Sequence, residues 1–399
     1  MSQLLFDGLK VLDVGSWIAA PVAATMLADM GAKVIKVEVP GAGDGYRNFS
    51  ASPGAADSDE NYAWQMDARN KRSMCLNLKS EQGREILLRM VRDADVYITN
   101  HTPAMRARFA TGYDDLRQIN PKLIYASLTA YGEAGPENNR EAFDLVAYWS
   151  RSGLMDLVRA PGAHPGPALP GMGDHPTAVA MYGGIVTALL RRERFGEGSY
   201  VHTSLLANGI WSASCIAQAA YADGDFERYR RDHGNLYTRV LYEAADGRWI
   251  QFSMVRTEQD TEAMLAVLGV PHLLLDEKFA TPEARLANGA ELTLELREAI
   301  AKASSEVWMT QFHQAGVPAA LVGRVEDLPN DPQVQANQFF VDPGNTGLDR
   351  LLKHPVNVEG LERATPDRAP EMGEHTHEIL AELGFTSDQI SDFQKGGVV

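Results

Sequence analysis

Short apolar runs alternate with amphipathic stretches along the first 130 residues of the chain. The pattern predicts strands at 9–14, 34–38, 96–100 and 123–128, and helices at 19–30, 80–92 and 114–119. Because strands that alternate with helices form parallel sheets with right-handed crossovers, we expect an α/β fold. Ligands of such sheets bind beyond the carboxyl ends of the strands. Here those ends are followed by residues 15–17, 100–102 and 129–131.

The amino-acid composition changes twice further along the chain. Residues 152–173 are rich in glycine, proline and alanine and predict a long loop, and helices are expected at 177–192 and 203–222. From there a charged stretch leads into a turn, a strand and three helical segments. We therefore predict a large domain beginning with 1–224, a small α/β domain at 225–325, and a C-terminal segment, 326–399, that returns to the large domain. One helix, at 376–384, is expected in that segment.

Length and composition narrow the function. A chain of 399 residues is long enough for two domains. Its net charge of −16, with no block of basic residues, argues against nucleic-acid binding. The two cysteines, Cys75 and Cys215, match no metal or redox spacing and predict buried thiols in a reducing compartment. The absence of a signal-like start and of any long apolar stretch predicts a cytoplasmic protein that spans no membrane.

A lone carboxylate, Asp174, lies in a bend of glycines and prolines at 170–176, directly before an apolar helical run. Glycine permits tight backbone conformations, and Pro176 suits the first turn of a helix. Asp174 is therefore expected at a helix N-terminus. Two interpretations remain open: an aspartate that caps the helix, and a carboxylate nucleophile presented on a tight turn.

Other motifs mainly exclude functions. No Gly-x-Gly-x-x-Gly follows the first strand, which argues against NAD, FAD and NADP. The glycine-rich stretch 41–45 is expected to be a flexible loop rather than a phosphate cradle of the dinucleotide-binding type. Residues 70–73, Asn-Lys-Arg-Ser, predict a solvated loop or a phosphate contact. His375 and His377 have the wrong spacing for zinc on a helix, so no metal site is expected.

The chain resembles the class III coenzyme A transferases, the family of formyl-CoA and carnitine CoA-transferases. The similarity is carried, in family order, by residues 9–13, 20–21, 27–38, 70–73, 173–174, 195–198 and 372–376. It implies a Rossmann-like large domain and a smaller α/β domain in a homodimer of interlocked rings. It also implies that coenzyme A and acyl-CoA are substrates, that a small carboxylic acid is the partner substrate, and that no cofactor is bound permanently.

The resemblance assigns the nucleophile to Asp174. A carboxylate of ordinary pKa, about 3.9, is ionised at neutral pH and needs no base. It would attack the thioester to give an aspartyl anhydride and then an aspartyl-CoA thioester. Coenzyme A contacts carry over by position onto Trp17, Ile18, Leu76, Asn100, His101, Arg108, Phe109 and Phe143. Val39 replaces a frequent arginine, and the glycine run of formyl-CoA transferases is missing near 234–237, so formate–oxalate exchange is not expected.

Three alternatives compete with this assignment. α-Methylacyl-CoA racemases share the fold, but they carry His-Asp where this chain has Phe143 and Asp144, and phenylalanine cannot move a proton. An NAD-dependent dehydrogenase is disfavoured by the missing glycine motif. A catalytically silent coenzyme A-binding protein is disfavoured by the presence of Asp174.

Overall fold

The computed structural model describes residues 4–160 and 162–399. Its chain divides into two compact units. The first contains the described residues of Met1–Leu157, Pro167–Ser214 and Asn337–Val399, and the second those of Val158–Gly166 and Cys215–Ala336. Apart from Val158–Gly166, the second unit runs from Cys215 to Ala336, whereas the sequence predicts a small domain at 225–325.

A six-stranded parallel sheet organises the first unit and confirms the predicted α/β fold. The strand order is β3-β2-β1-β4-β5-β6. The strands are β1 (Lys10–Val14), β2 (Lys33–Glu38), β3 (Lys71–Cys75), β4 (Val96–Thr99), β5 (Ile124–Thr129) and β6 (Ser199–Ser204). Because the chain starts at β1 and winds outward in both directions, the strand order reverses between β1 and β4. That position is where doubly wound sheets open a ligand crevice.

Helices cover the sheet and build most of the second unit. They are α1 (Ala19–Ala28), α2 (Tyr62–Ala68), α3 (Glu81–Val91), α4 (Pro103–Phe109), α5 (Tyr113–Ile119), α6 (Leu154–Val158), α7 (Asp174–Phe195), α8 (Leu205–Ser212), α9 (Ser214–Ala217), α10 (Phe226–Gly234), α11 (Glu258–Val267), α12 (Pro282–Ala287), α13 (Gly289–Ile300), α14 (Ser305–Gln314), α15 (Pro332–Ala336), α16 (Thr376–Glu382) and α17 (Ser387–Lys395). None of the helices in the described part of the chain combines the length and apolarity needed to cross a bilayer.

Two sequence expectations about helices are wrong. The predicted loop 152–173 contains α6, and the C-terminal segment ends in two helices rather than one. The second, α17, begins with a capping box in which Thr386 accepts the N–H of Gln389 and the Gln389 side chain accepts the N–H of Thr386. A threonine followed three residues later by glutamine is a sequence signal for a helix start, so this helix was predictable.

The two faces of the sheet differ in chemistry. Leu12 and Val14 of β1 belong to an apolar core with side chains from α3, α16 and α17. Because side chains alternate along a strand, Asp13 between them points to the opposite face. Asp13 is wholly buried there. Helix α1, in which every residue is buried, follows β1 and packs against α7.

The second unit has its own small sheet and core. Strands β7 (Leu241–Glu243), β8 (Trp249–Phe252) and β9 (Ala319–Leu321) pair antiparallel in that order. Their apolar face packs with residues of α11, α13 and α14. A further pair of short strands, β10 (Phe340–Val341) and β11 (Leu351–Leu352), belongs to the first unit.

Candidate active site

Asp174 is the first residue of α7, and Gly173 is the residue that caps the helix. Since α7 leads directly into the parallel strand β6, its N-terminus lies at the carboxyl edge of the sheet. The Asp174 side chain is 8% exposed and makes no capping bond. Among the described residues, its carboxylate accepts no hydrogen bond. The interpretation of Asp174 as a capping aspartate is therefore wrong.

Asp174 lines a cleft of about 460 Å³ at the carboxyl edge of the sheet. The loops that follow β1, β4 and β5 supply most of its wall. The lining includes five predicted site residues besides other apolar and polar side chains, namely Trp17, Ile18, Asn100, His101 and Phe143. The cleft thus lies where the reversal of strand order predicts a ligand.

The loop after β1 is held in shape by buried charges. Trp17 has a left-handed backbone, with φ of 69°, which is unusual for a bulky residue. Its N–H donates to the Asp44 carboxylate at 3.0 Å. Lys36 lies 2.7 Å from Asp44 and donates to the Gly15 carbonyl at 2.6 Å. Removing one partner of such a buried pair costs about 3–5 kcal/mol. The expected flexible loop at 41–45 is therefore wrong for Asp44, which is buried and fixed.

The predicted solvated loop at 70–73 is also wrong. Lys71 is the first residue of β3, is buried, and lies 2.9 Å from the Asp13 carboxylate on the face covered by α1. Arg72 pairs with Glu378 and Glu382 of α16 at 3.1 and 3.0 Å. Lys71 is buried in its ion pair and so cannot be the phosphate contact considered from the sequence, whereas for the partly exposed Arg72 that contact stays a prediction.

Asn100 and His101 follow β4 and face the cleft. Asn100 ties the β4 and β1 loops together, since its side chain accepts the Ser16 N–H at 3.0 Å and donates to the Ser16 carbonyl at 2.8 Å. Burial, followed by the charge of Arg106, lowers the pKa of His101 to about 4, so the ring is neutral. Its buried Nδ1 has no partner among the described residues. His101 therefore lines the cleft as an uncharged ring.

The other predicted contacts fall into two groups. Phe143 is half exposed and meets Trp17 edge to face, with ring centroids 4.8 Å apart, so these rings form one wall of the cleft. Leu76 and Phe109, in contrast, have side chains in the apolar core. Arg108 is exposed and does not line the cleft. It follows Met105, which does, by three residues on α4, so both residues lie on one side of the helix.

A second carboxylate, Asp144, lies next to the bend. It is 1% exposed and accepts the N–H groups of Gly173 at 2.8 Å and Leu145 at 2.9 Å. Burial, followed by the negative charge of Asp144, raises the pKa of Asp174 to about 7, although His175 acts in the opposite direction. The expectation of an ordinary carboxylate is therefore wrong, because the Asp174 carboxyl group keeps its proton to a higher pH than an exposed aspartate does.

Comparisons with known proteins agree on one family. The profile of CoA-transferase family III matches residues 6–376. An (R)-2-hydroxy-4-methylpentanoate CoA-transferase of Clostridioides difficile is 32% identical, over 99% of this chain and 100% of that protein. A cinnamoyl-CoA:phenyllactate CoA-transferase of Clostridium sporogenes is 31% identical, over 98% and 96%. The crystal structure of a CAIB/BAIF family protein from Brucella suis has a TM-score of 0.82 at 29% identity, covering 96% of this chain and 100% of that chain.

Proposed function

Because the chain belongs to CoA-transferase family III and is a CoA-transferase, we propose that Asp174 carries the transfer as a covalent nucleophile. The observation that supports this is that the Asp174 carboxylate accepts no hydrogen bond from residues 4–160 and 162–399, while it lies at a helix N-terminus and lines a cleft at the reversal of strand order. A carboxylate without hydrogen-bond partners keeps its lone pairs free for attack. An aspartate with a purely structural role at such a position would accept hydrogen bonds from backbone N–H groups, as Asp144 does.

The proposed reaction proceeds in two matched halves. The Asp174 carboxylate attacks the carbonyl carbon of the acyl-CoA, the carbon–sulfur bond breaks, and an aspartyl anhydride and the coenzyme A thiolate form. The thiolate then attacks the Asp174 carbonyl, which releases the donor acid and leaves an aspartyl-CoA thioester. The acceptor carboxylate repeats both steps in reverse order and leaves as its coenzyme A thioester, with Asp174 restored. Splitting one exchange into covalent steps is the advantage of a nucleophilic residue.

Several of the predicted coenzyme A contacts line the same cleft as Asp174. Trp17, Ile18, Asn100, His101 and Phe143 line it together with Asp174. We propose that these five bind the thioester end of the substrate and that Arg108, further along α4, meets a phosphate at the other end. Leu76 and Phe109 support these positions from the core.

The acid substrate is proposed to have an apolar side chain. Leu128 and Leu205 line the cleft in addition to Ile18 and Phe143, and apolar walls favour apolar groups. The two relatives from Clostridioides difficile and Clostridium sporogenes are named for acids of this kind. The test is a panel of acyl-CoA donors against aliphatic, aromatic and dicarboxylic acids, read by mass spectrometry. Faster transfer to dicarboxylic acids than to the others would contradict the proposal.

The racemase alternative is disfavoured by the structure of the same cleft. Phe143 lies on its wall without a titratable group, and Asp144 is committed to two backbone N–H groups. Membership of CoA-transferase family III also argues against the NAD-dependent dehydrogenase alternative.

Replacing Asp174 by alanine tests the nucleophile. We expect transfer to fall by at least roughly a thousandfold, because the covalent route is lost, while coenzyme A binding measured by calorimetry stays close to wild type. In the wild type, hydroxylamine added during turnover should convert the intermediate to a hydroxamate on the peptide that contains Asp174. D388A, which changes an exposed aspartate in the first turn of α17, is the control. Activity of D174A within tenfold of wild type, or a hydroxamate on another residue, would contradict the assignment.

A further inference from the structure

The residue after the nucleophile, His175, has an acceptor at each ring nitrogen. Nδ1 lies 3.0 Å from the Gly171 carbonyl oxygen, and Nε2 lies 3.2 Å from a carboxylate oxygen of Asp67. A neutral imidazole has one N–H donor, so it would leave a lone pair facing an oxygen. Both contacts are satisfied only when both nitrogens carry protons. The geometry therefore describes an imidazolium.

The partner of this cation cannot turn away from it. Asp67 belongs to α2 and is 4% exposed. Tyr46 donates its hydroxyl hydrogen to the Asp67 carboxylate at 2.8 Å, and Thr25 donates to the Asp67 carbonyl. Burial lowers the pKa of His175, but the charge of Asp67 and the bonds to Asp67 and Gly171 outweigh it and raise the pKa to about 9.

His175 also closes the bend that presents the nucleophile. Its own backbone N–H donates to the Gly171 carbonyl at 3.1 Å, so main chain and side chain bind the same oxygen. Gly171 has φ of 87°, and a Cβ there would lie 3.4 Å from the His175 ring. The bend is thus packed onto the His175 ring. The contacts between Gly171 and His175 form a clamp, and Asp174 lies between these two residues in the sequence.

The positive charge of His175 opposes the effect of two neighbouring carboxylates on the pKa of Asp174. Asp144 and Asp67 both raise the pKa of Asp174, and His175 lowers it. The other titratable groups that line the cavities beside these two residues are His101, Arg140 and Glu141 around Asp174, and Arg69, Lys353 and His354 around His175. Of all these, His175 is the cation adjacent in sequence to the nucleophile.

On the function proposed above, we propose that His175 is a positioning residue that clamps the 171–175 bend and, as a fixed cation, increases the ionised fraction of Asp174, whose carboxylate attacks the thioester. The ring itself exchanges no proton with substrate. Its effect is confined to the shape of the bend and to the charge state of Asp174. The coupling predicts a specific change in how transfer depends on pH.

The test compares a neutral and a charged replacement, His175→Gln and His175→Lys, in pH profiles of kcat/KM. The charge of His175 lowers the pKa of Asp174, and a neighbouring opposite charge typically lowers a carboxylate pKa by about 1–3 units. In H175Q we therefore expect the acid limb to move up by about one pH unit or more. Transfer should then be roughly tenfold below wild type on that limb and recover to within about twofold at pH 9. H175K, which keeps the charge, should show an acid limb close to that of wild type. H377Q, at an exposed histidine of α16, is the control.

Two results would overturn the inference. One is an unmoved acid limb in H175Q, or equal losses in H175Q and H175K at every pH, as a purely structural role would give. The other is an NMR titration in which His175 of the folded wild type loses its proton at or below pH 6.5, a measurement that needs no variant to fold. These outcomes are separate from failure of the proposed function, which would appear as activity in D174A.

Discussion

Replacing Asp174 by asparagine should stabilise the folded protein at neutral pH although it removes the proposed nucleophile. Asparagine has nearly the shape of aspartate, and the native carboxylate accepts no hydrogen bond from the described residues, so the change removes little except charge. Burial, with the charge of Asp144, raises the pKa of Asp174 from 3.8 to about 7. At about 1.4 kcal/mol for each pH unit between those values, the ionised carboxylate costs the folded state on the order of 4 kcal/mol.

The direction of the pH dependence follows from which state holds the proton. Well below about pH 4, the carboxyl group is protonated in the folded and the unfolded chain, so D174N and wild type should have similar stability. As pH rises towards 7, the unfolded chain releases this proton while the folded chain retains it. The wild type therefore loses stability relative to D174N over that range. Above about pH 7 the difference is fully present and constant.

Thermal unfolding at several pH values between about 5 and 8 measures this difference. We expect the Tm of D174N to exceed that of wild type by several degrees at pH 8, and by much less at pH 5. The matched control is Asp388→Asn, an exposed aspartate in the first turn of α17. It should lose a few tenths of a kcal/mol of helix-dipole interaction, with little pH dependence in this range. A D174N protein that is less stable than wild type at pH 8, or a difference that does not change with pH, would refute the reasoning.

Two further predictions concern coenzyme A and assembly. Arg108→Ala should raise the KM for the acyl-CoA donor roughly tenfold, about 1.4 kcal/mol, and leave the KM for the free acid nearly unchanged, with a smaller effect at high salt. The control is Arg117→Ala, whose arginine already pairs with Asp114 at 3.2 Å. Equal donor KM values for R108A and wild type at low salt would show that Arg108 binds no phosphate. The chain should be an obligate homodimer, as the family resemblance implies and as the exposed apolar side chains Leu190, Phe195 and Trp211 suggest. Sedimentation at low micromolar concentration should give twice the 43.7 kDa of one chain. An active species of 43.7 kDa would contradict this prediction.

Local pattern was sufficient for the sheet wherever the strand was apolar. The predicted strands at 9–14, 34–38, 96–100 and 123–128 match β1, β2, β4 and β5 to within a residue or two at each end. Strand β3 is different, because it begins with Lys71 and Arg72, two charged residues for which the local pattern favours a loop. A buried lysine in a strand is stable only with a charged partner, and that partner, Asp13, is 58 residues away in the sequence. No local pattern contains such a contact.

The candidate site shows the same division between local and distant information. Glycines and prolines around Asp174 were enough to predict a bend at a helix start, since backbone preferences are local. The chemistry of the carboxylate was not predictable in this way. Its pKa depends on burial and on Asp144 and Asp67, which are brought to it by a π-helical turn, Leu145–Ser150, and by α2. The two acids oppose the ionisation that a nucleophile needs, and the histidine that opposes them is itself held by one of them. Asp67 therefore acts on Asp174 in two ways, directly as a repelling charge and through His175 as the anchor of an attracting one. The net effect of Asp67 on the pKa of Asp174 therefore depends on whether His175 carries its second proton. Through this dependence, the proposal ties the acid limb of the transfer reaction to the protonation of His175.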